Sequence, residues 1–342
     1  MKKYDAIVIG SGQGGNPLCY ALAEQGWTVA LVEKAHLGGT CINTGCTPTK
    51  TMIASAQVAY YARHAARWGV RTGPVNVDLS FVVDRKSAVV QQWREGQERN
   101  LARHPSVSLY RAHARFSSAR DLQVNDEVLQ SDRIFIDTGT RPHPPKLSGL
   151  DTVEYLTNES LMEVREVPEH LLILGGGYIG LEFGQMFRRF GSRVTLVHRG
   201  PQILPQEDAD IAGELQKALE NEGIEFRLNG NSLQVEKRAG QIALTFDQAG
   251  QKETITGSHL LVATGRRPNT NDLGLDKAGV ELDARGYIKV NSRLETTVLG
   301  RRSGVTSNRP PSKPQPIRHL GLTNHNFLNV PNQNKHIDEP RL

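Results

Sequence analysis

The feature that most constrains this chain is a unit that occurs twice. Residues 4–9, Tyr-Asp-Ala-Ile-Val-Ile, read as a strand buried on both faces. Gly10-Ser-Gly12-Gln-Gly-Gly15 follows at once. Next come an apolar helical pattern through Leu18, Ala21 and Leu22 and a strand, Thr28 to Val32, that ends at Glu33. Leu171 to Leu174 opens the second copy, with Gly175-Gly-Gly177-Tyr-Ile-Gly180, a helix to about Phe190, and a strand Val194–Val197 that ends at His198. Gly10 to Glu33 and Gly175 to His198 each span 23 positions. In such a unit the glycines let the backbone approach a pyrophosphate at a helix N-terminus, and the strand-end acid accepts from a ribose hydroxyl. The repeat predicts an α/β fold with two Rossmann-like dinucleotide-binding domains. They would hold two different nucleotides, or the donor and acceptor halves of one reaction.

The two copies differ at the strand end. An acid there repels a 2′-phosphate, whereas a nearby Arg accommodates it. His198-Arg199 in place of an acid therefore favours NADPH over NADH at the second site. The plainer alternative is an Arg199 that only meets water at a strand end.

Between the copies lies Gly38-Gly39-Thr40-Cys41-Ile-Asn-Thr-Gly45-Cys46-Thr-Pro48-Thr-Lys50. Cys41 and Cys46 are five positions apart, which is ~7.5 Å along a regular helix. Cysteines whose Cα atoms are more than ~7 Å apart cannot bridge. If this pair bridges, the helix must break between them, and Gly45 permits that. Pro48 suits a first helical turn. Lys50 falls on the same helical face as Cys46, where a cation favours thiolate. On the cysteines alone, a redox pair and two inert buried thiols are equal readings. The flanking Gly-Gly-Thr, Pro and Lys favour the redox pair. Cys19, in the first helix among apolar neighbours, reads as inert core.

This stretch resembles the active-site segment of the class I pyridine nucleotide–disulfide oxidoreductases: dihydrolipoamide dehydrogenase, glutathione reductase and mercuric reductase. Their pattern G-G-T-C-x-N-x-G-C-x-P-x-K is met at every fixed position. The resemblance continues in Thr138-Gly139-Thr-Arg-Pro142, in Ala263-Thr-Gly265-Arg266-Arg-Pro-Asn269, and in 286–297. It implies hydride transfer from NADPH to FAD, then electron transfer to a Cys41–Cys46 disulfide, and on to a small-molecule disulfide, thiol or metal ion. Cys41 would be the interchange thiol, Cys46 would lie against the flavin, and Lys50 would sit near the flavin and pair with Glu182. Gly10, Gly12, Gly15, Glu33, Lys34, Gly39, Thr40, Ala114, Thr138 and Gly139 would contact FAD. Gly175, Gly177, Gly180, His198, Arg199, Gly265 and Arg266 would serve the second nucleotide and the junction between domains. Two rival functions share these motifs: a flavin diaphorase or oxidase without thiol chemistry, and a noncatalytic fragment that only binds nucleotides.

The 342 residues suggest two or three domains at ~100–200 residues each. We expect an FAD domain of 1–150 plus 269–298 and an inserted nucleotide domain of 151–268. The net charge is +5, but residues 299–342 alone hold seven basic and two acidic residues, which accounts for all of it. The neutral body argues against a nucleic-acid partner. The chain shows neither a membrane span nor a secretory signal, and three cysteines fit a reducing, cytoplasmic setting.

The family resemblance stops near Thr297. Beyond it the family carries a strand ending in Gly-Asp and a C-terminal dimerisation domain, which make it a homodimer. Residues 299–342 hold instead six prolines, many Asn and little apolar periodicity. The expectation is a disordered, unrelated tail, a truncated or frameshifted end without a dimerisation domain, and an FAD sheet short of one strand.

Overall fold

Ala6–Ile9 forms the centre of a five-stranded sheet because each of its four residues is buried. The computed structural model describes residues 1–248, 250–298 and 300–303. The strand order is Arg301–Ser303, Ile134–Ile136, Ala6–Ile9, Val29–Val32 and Val107–Tyr110, all parallel. Ile7 pairs with both Ala30 and Ile134, which fixes the register at the middle of the sheet. Side chains alternate between faces along a strand. Ala6 and Val8 meet Cys19 and Leu22 of helix α1 (Gly15–Glu24). Ile7 and Ile9 meet Phe116 and Leu122 of an antiparallel layer, Ala114–Phe116, Asp121–Val124 and Glu127–Gln130. Cys19 is wholly buried, and burial pushes its thiol up to about 12, which bears out its reading as inert core.

After the second strand come the short helix α2 (Gly39–Asn43) and the long helices α3 (Cys46–His64) and α4 (Leu79–Ala102). The Asp78 carboxylate caps α4 by accepting from Phe81 N–H at 2.9 Å.

The second copy repeats the logic. Ile224–Arg227, Arg193–Val197, His170–Leu174 and His259–Val262 make a parallel sheet in that order. Leu171 and Ile173 pack on Phe183 and Phe187 of helix α5 (Tyr178–Phe190). Helix α6 (Ala209–Asn221) joins the same side through Ala212 and Leu219. Leu172 and Leu174 face an antiparallel layer, Asn231–Arg238, Gln241–Gln248 and Gln251–Gly257, through Val235, Leu244 and Phe246. Met52 and Ala56 of α3 lie in the same core as Phe183 and Phe187, so the helix after the cysteines is wedged against the second copy. The chain passes between the copies through two antiparallel segments, Thr140–Pro142 and Arg266–Pro268.

The expectation of a missing strand fails. Arg301–Ser303 pairs parallel with Ile134–Ile136 and completes the first sheet, and Ser303 Oγ donates to Ile136 O at 3.1 Å. The abrupt change at 299 is therefore no edge of the fold, and the described chain stays ordered for three residues beyond Gly300. The reason is that an edge strand holds by backbone pairing on one side and needs no apolar pattern. The expected disorder of 304–342 lies outside the described residues. Among the described residues no helix is long and apolar enough to cross a membrane.

Candidate active site

The first glycine loop is pressed onto the sheet. Gly10 has φ +105°, and a Cβ there would stand 2.1 Å from the Asp137 carbonyl oxygen. Ser11 is buried, and its N–H and Oγ–H donate to Glu33 Oε2 at 3.0 and 2.7 Å. Ala35 N–H donates to Glu33 Oε1 at 2.8 Å. The strand-end acid is thus held rigid by the loop it serves. Gly39, at φ +59°, touches the same loop: a Cβ there would lie 2.7 Å from Gly12 Cα. Helix α2 can start this close to the glycine loop only without a side chain at 39.

The cysteines lie on either side of a helix break. Helix α2 ends at Asn43, Thr44 leaves helical geometry, and α3 begins at Cys46 with Pro48 in its first turn. This is the departure from regular helix that a bridge between the two cysteines would require. Asn43 fixes the break by donating from Nδ2 to Gly39 O at 2.9 Å and to Leu37 O at 3.0 Å. Both cysteines are free thiols in this structure. Burial pushes the Cys41 thiol up to about 11, its hydrogen bond to Cys46 adds to this, and the Cys46 backbone N–H pulls the other way.

Both thiols line a cavity of about 680 Å³. Gly10, Gly12, Glu33, Lys34, Gly39, Thr40, Ala114, Thr138 and Gly139 line it too. Gly15 stands at the first turn of α1, just behind it. The volume is that of a cofactor site. The first turn of α1 leaves backbone donors for an anion. Thr138 Oγ1 is buried without a hydrogen-bond partner. Glycines at the approach, helix donors and an orphan hydroxyl fit a flavin dinucleotide. Lys50 is not in the cavity wall; its ammonium forms an ion pair with Glu182 on α5. The pairing expected from resemblance is present in the geometry.

At the second loop, Gly175 ends the strand, Gly177 caps α5 and Gly180 is buried in its first turn. Gly176 N–H donates to His198 Nδ1 at 3.3 Å. Burial, then Arg199, lowers the His198 pKa, so the ring is neutral at pH 7. Its Nε2 is buried without a partner. Arg199 is exposed and has no ion-pair partner among the described residues. Gly265 and Arg266 stand apart, at the crossing between copies. The Arg266 guanidinium donates to Thr140 Oγ1 at 2.8 Å and to Thr140 O at 2.7 Å. Burial lowers its pKa.

The pyridine nucleotide-disulphide oxidoreductase family profile matches residues 4–300. The chain belongs to this family. A dihydrolipoyl dehydrogenase of Thermus scotoductus is 38% identical over 313 residues, covering 91% of this chain and 68% of that protein. A mercuric reductase of Lysinibacillus sphaericus is 34% identical over 295 residues, covering 86% of this chain and 54% of that protein. Among solved structures, the Cu(II) complex of the HOCl-induced flavoprotein disulfide reductase RclA from Escherichia coli superposes with a TM-score of 0.78 at 33% identity. That match covers 89% of this chain and 66% of the other. The chain spans about half to two thirds of the length of these relatives. The family is one of FAD- and pyridine-nucleotide-dependent oxidoreductases.

Within the family frame, sequence reasoning missed several residues of the cavity wall, among them Arg94 and Asp137. Arg94 of α4 lines it and donates from Nε to Asn43 Oδ1 at 2.6 Å. Nothing in its polar helix marks it. Asp137 also lines it. It directly precedes Thr138-Gly139 at a strand end, but its proximity to Gly14 and Gly15 is a product of the fold. Among the described residues no group of three or more His, Cys, Asp or Glu could hold a metal ion.

Proposed function

We propose that this chain is a flavoprotein reductase that takes electrons from NADPH and passes them to a small-molecule disulfide or metal-ion acceptor through Cys41 and Cys46. The flavin part is 1–150 with 269–298, and the nicotinamide part is 151–268. The observation that carries this reading is the pair of thiols, one on each side of a helix break, in the wall of a dinucleotide-sized cavity. Bound FAD would supply the two-electron step between nicotinamide and the cysteine pair.

The chain's own residues do the rest. Glu33 accepts from a ribose hydroxyl, held in place by Ser11 and Ala35. Glycines 10 and 12 and the start of α1 admit the pyrophosphate. The Cys41 thiolate attacks a substrate disulfide and releases one substrate thiol. Cys46 then displaces the second thiol and closes the Cys41–Cys46 bond, so that two electrons leave the pair. Lys50 and Glu182 tie the cysteine helix to the nicotinamide half. Arg199 receives a 2′-phosphate, and no acid opposes it at His198.

The test uses the flavin-loaded protein. Reduction by two electrons should produce a long-wavelength charge-transfer absorption, which Cys46→Ser abolishes and which Cys41→Ser shows before any reductant. A spectrum indifferent to both changes sinks the thiol reading. A Cys41→Ser protein that still reduces a disulfide substrate sinks it as well.

A further inference from the structure

Asp137 has no role in the function above, yet it sits under the first glycine loop. A Cβ on Gly14 would stand 2.8 Å from its Oδ2, and one on Gly15 3.2 Å. Oδ2 is sealed from water and has no hydrogen-bond partner. The carboxylate therefore lies against the start of α1, whose first N–H groups are donors that an incoming pyrophosphate would use. A carboxylate and a pyrophosphate would thus meet at one helix N-terminus, inside one cavity.

Like charges this close cannot both stay ionised without a large cost. A protonated Asp137 removes the repulsion and offers an O–H donor of its own. We propose that Asp137 is a positioning residue whose protonation accompanies cofactor binding, so that the protein takes up one proton when the pyrophosphate enters and holds its dinucleotide more tightly in mildly acid solution. This rests on the reading of the cavity as a flavin site.

The surroundings agree. Burial raises the carboxyl, the Gly15 and Gly14 N–H groups pull it back, and Glu33, at the end of the next strand but one, adds to the rise, for a net value of about 6. Cys19 of α1, the other titratable group that interacts with it, stays a neutral thiol. Lys34, His36, Arg94, His113 and Asp272 line the same cavity. None of these five is among the groups that move it.

The experiment measures FAD affinity of the full-length apoprotein from pH 5.5 to 8 by quenching of flavin fluorescence, with Asp137→Asn and Asp137→Ser beside the wild type. The wild-type Kd should rise about tenfold or more across this range, because the bound state favours the protonated carboxyl. Both variants should show a nearly flat Kd, and Asn should bind more tightly than wild type at pH 8. A flat wild-type profile with FAD bound overturns the inference alone, as does a slope that survives in either folded variant. FAD binding by none of the proteins at any pH overturns the cavity reading and this inference together.

Discussion

His198 holds the second glycine loop through its ring, with Nδ1 accepting Gly176 N–H at 3.3 Å. Glu33 Oε2 does the same to Ser11 N–H at 3.0 Å in the first loop. Ser11 and Gly176 are equivalent positions, each one residue past the first glycine. The second site has thus replaced an acid by a neutral acceptor without losing the bond that orders the loop.

Cofactor preference follows from that exchange. Arg199→Glu should weaken NADPH about tenfold or more and leave NADH within about threefold, since a charge-assisted phosphate contact contributes about 1.5–3 kcal/mol. His198→Glu should also lower the ratio of NADPH to NADH affinity, because a carboxylate repels the 2′-phosphate. Affinities of the two nucleotides by titration check both. A wild type that prefers NADH would contradict the assignment.

Stability should depend on pH through Asp137. Its folded-state value is about 6 against an ordinary 3.8. A raised folded value means stability that is present below about pH 4 and lost as pH climbs through 6. The charged form then costs the apoprotein up to about 3 kcal/mol, an upper bound for a shift of two units. Asp137→Asn should therefore raise Tm at pH 8 and leave it unchanged at pH 4. Thermal unfolding of the two apoproteins at both values reads this directly.

The glycine loops, the strands beside them and the break between Cys41 and Cys46 could all be read from the sequence, because each rests on local chemistry. Positive φ at Gly10 and the apolar run Ala6–Ile9 need no knowledge of distant residues. Asp137 was not readable in the same way. Its importance comes from Gly14 and Gly15, more than a hundred positions earlier, and only the sheet brings them together. Arg301–Ser303 was hidden for another reason. Two arginines and a serine at a sheet edge carry no apolar alternation, and only the backbone pairing with Ile134–Ile136 reveals a strand. Glu182 was readable through family resemblance alone, since nothing near it in sequence points to Lys50.

Gly45 sets the approach of the two sulfurs. A Cβ there would lie 2.9 Å from Thr40 O, so Gly45→Ala must push Cys46 and the start of α3 away from α2. Disulfide formation in the reduced protein should slow by about tenfold, the effect of roughly 1.4 kcal/mol on a barrier. Thiol titration during air oxidation measures it, and an unchanged rate would show that the break tolerates a side chain.

Lys50 and Glu182 form a half-exposed pair, with side chains 64% and 42% accessible. Such pairs add little stability, ~0–1 kcal/mol. Glu182→Gln should thus shift Tm by only about 2 °C or less, by conversion for a domain of this size. Reduction of the flavin-loaded protein by NADPH should slow clearly in the same variant. Calorimetry and rapid mixing separate the two effects. A large loss of Tm would recast the pair as structural.

The antiparallel segments Thr140–Pro142 and Arg266–Pro268 also decide how the two halves can come apart. Because the chain leaves and re-enters at one place, with Arg266 clamped onto Thr140, the crossing is a two-ply tether. A protease that cuts one ply leaves the other intact, so a singly nicked molecule keeps both halves tethered. The tether is not what holds them together: Met52 and Ala56 of α3 share a buried core with Phe183 and Phe187 of α5, so parting the halves must open that core along with the Lys50–Glu182 contact.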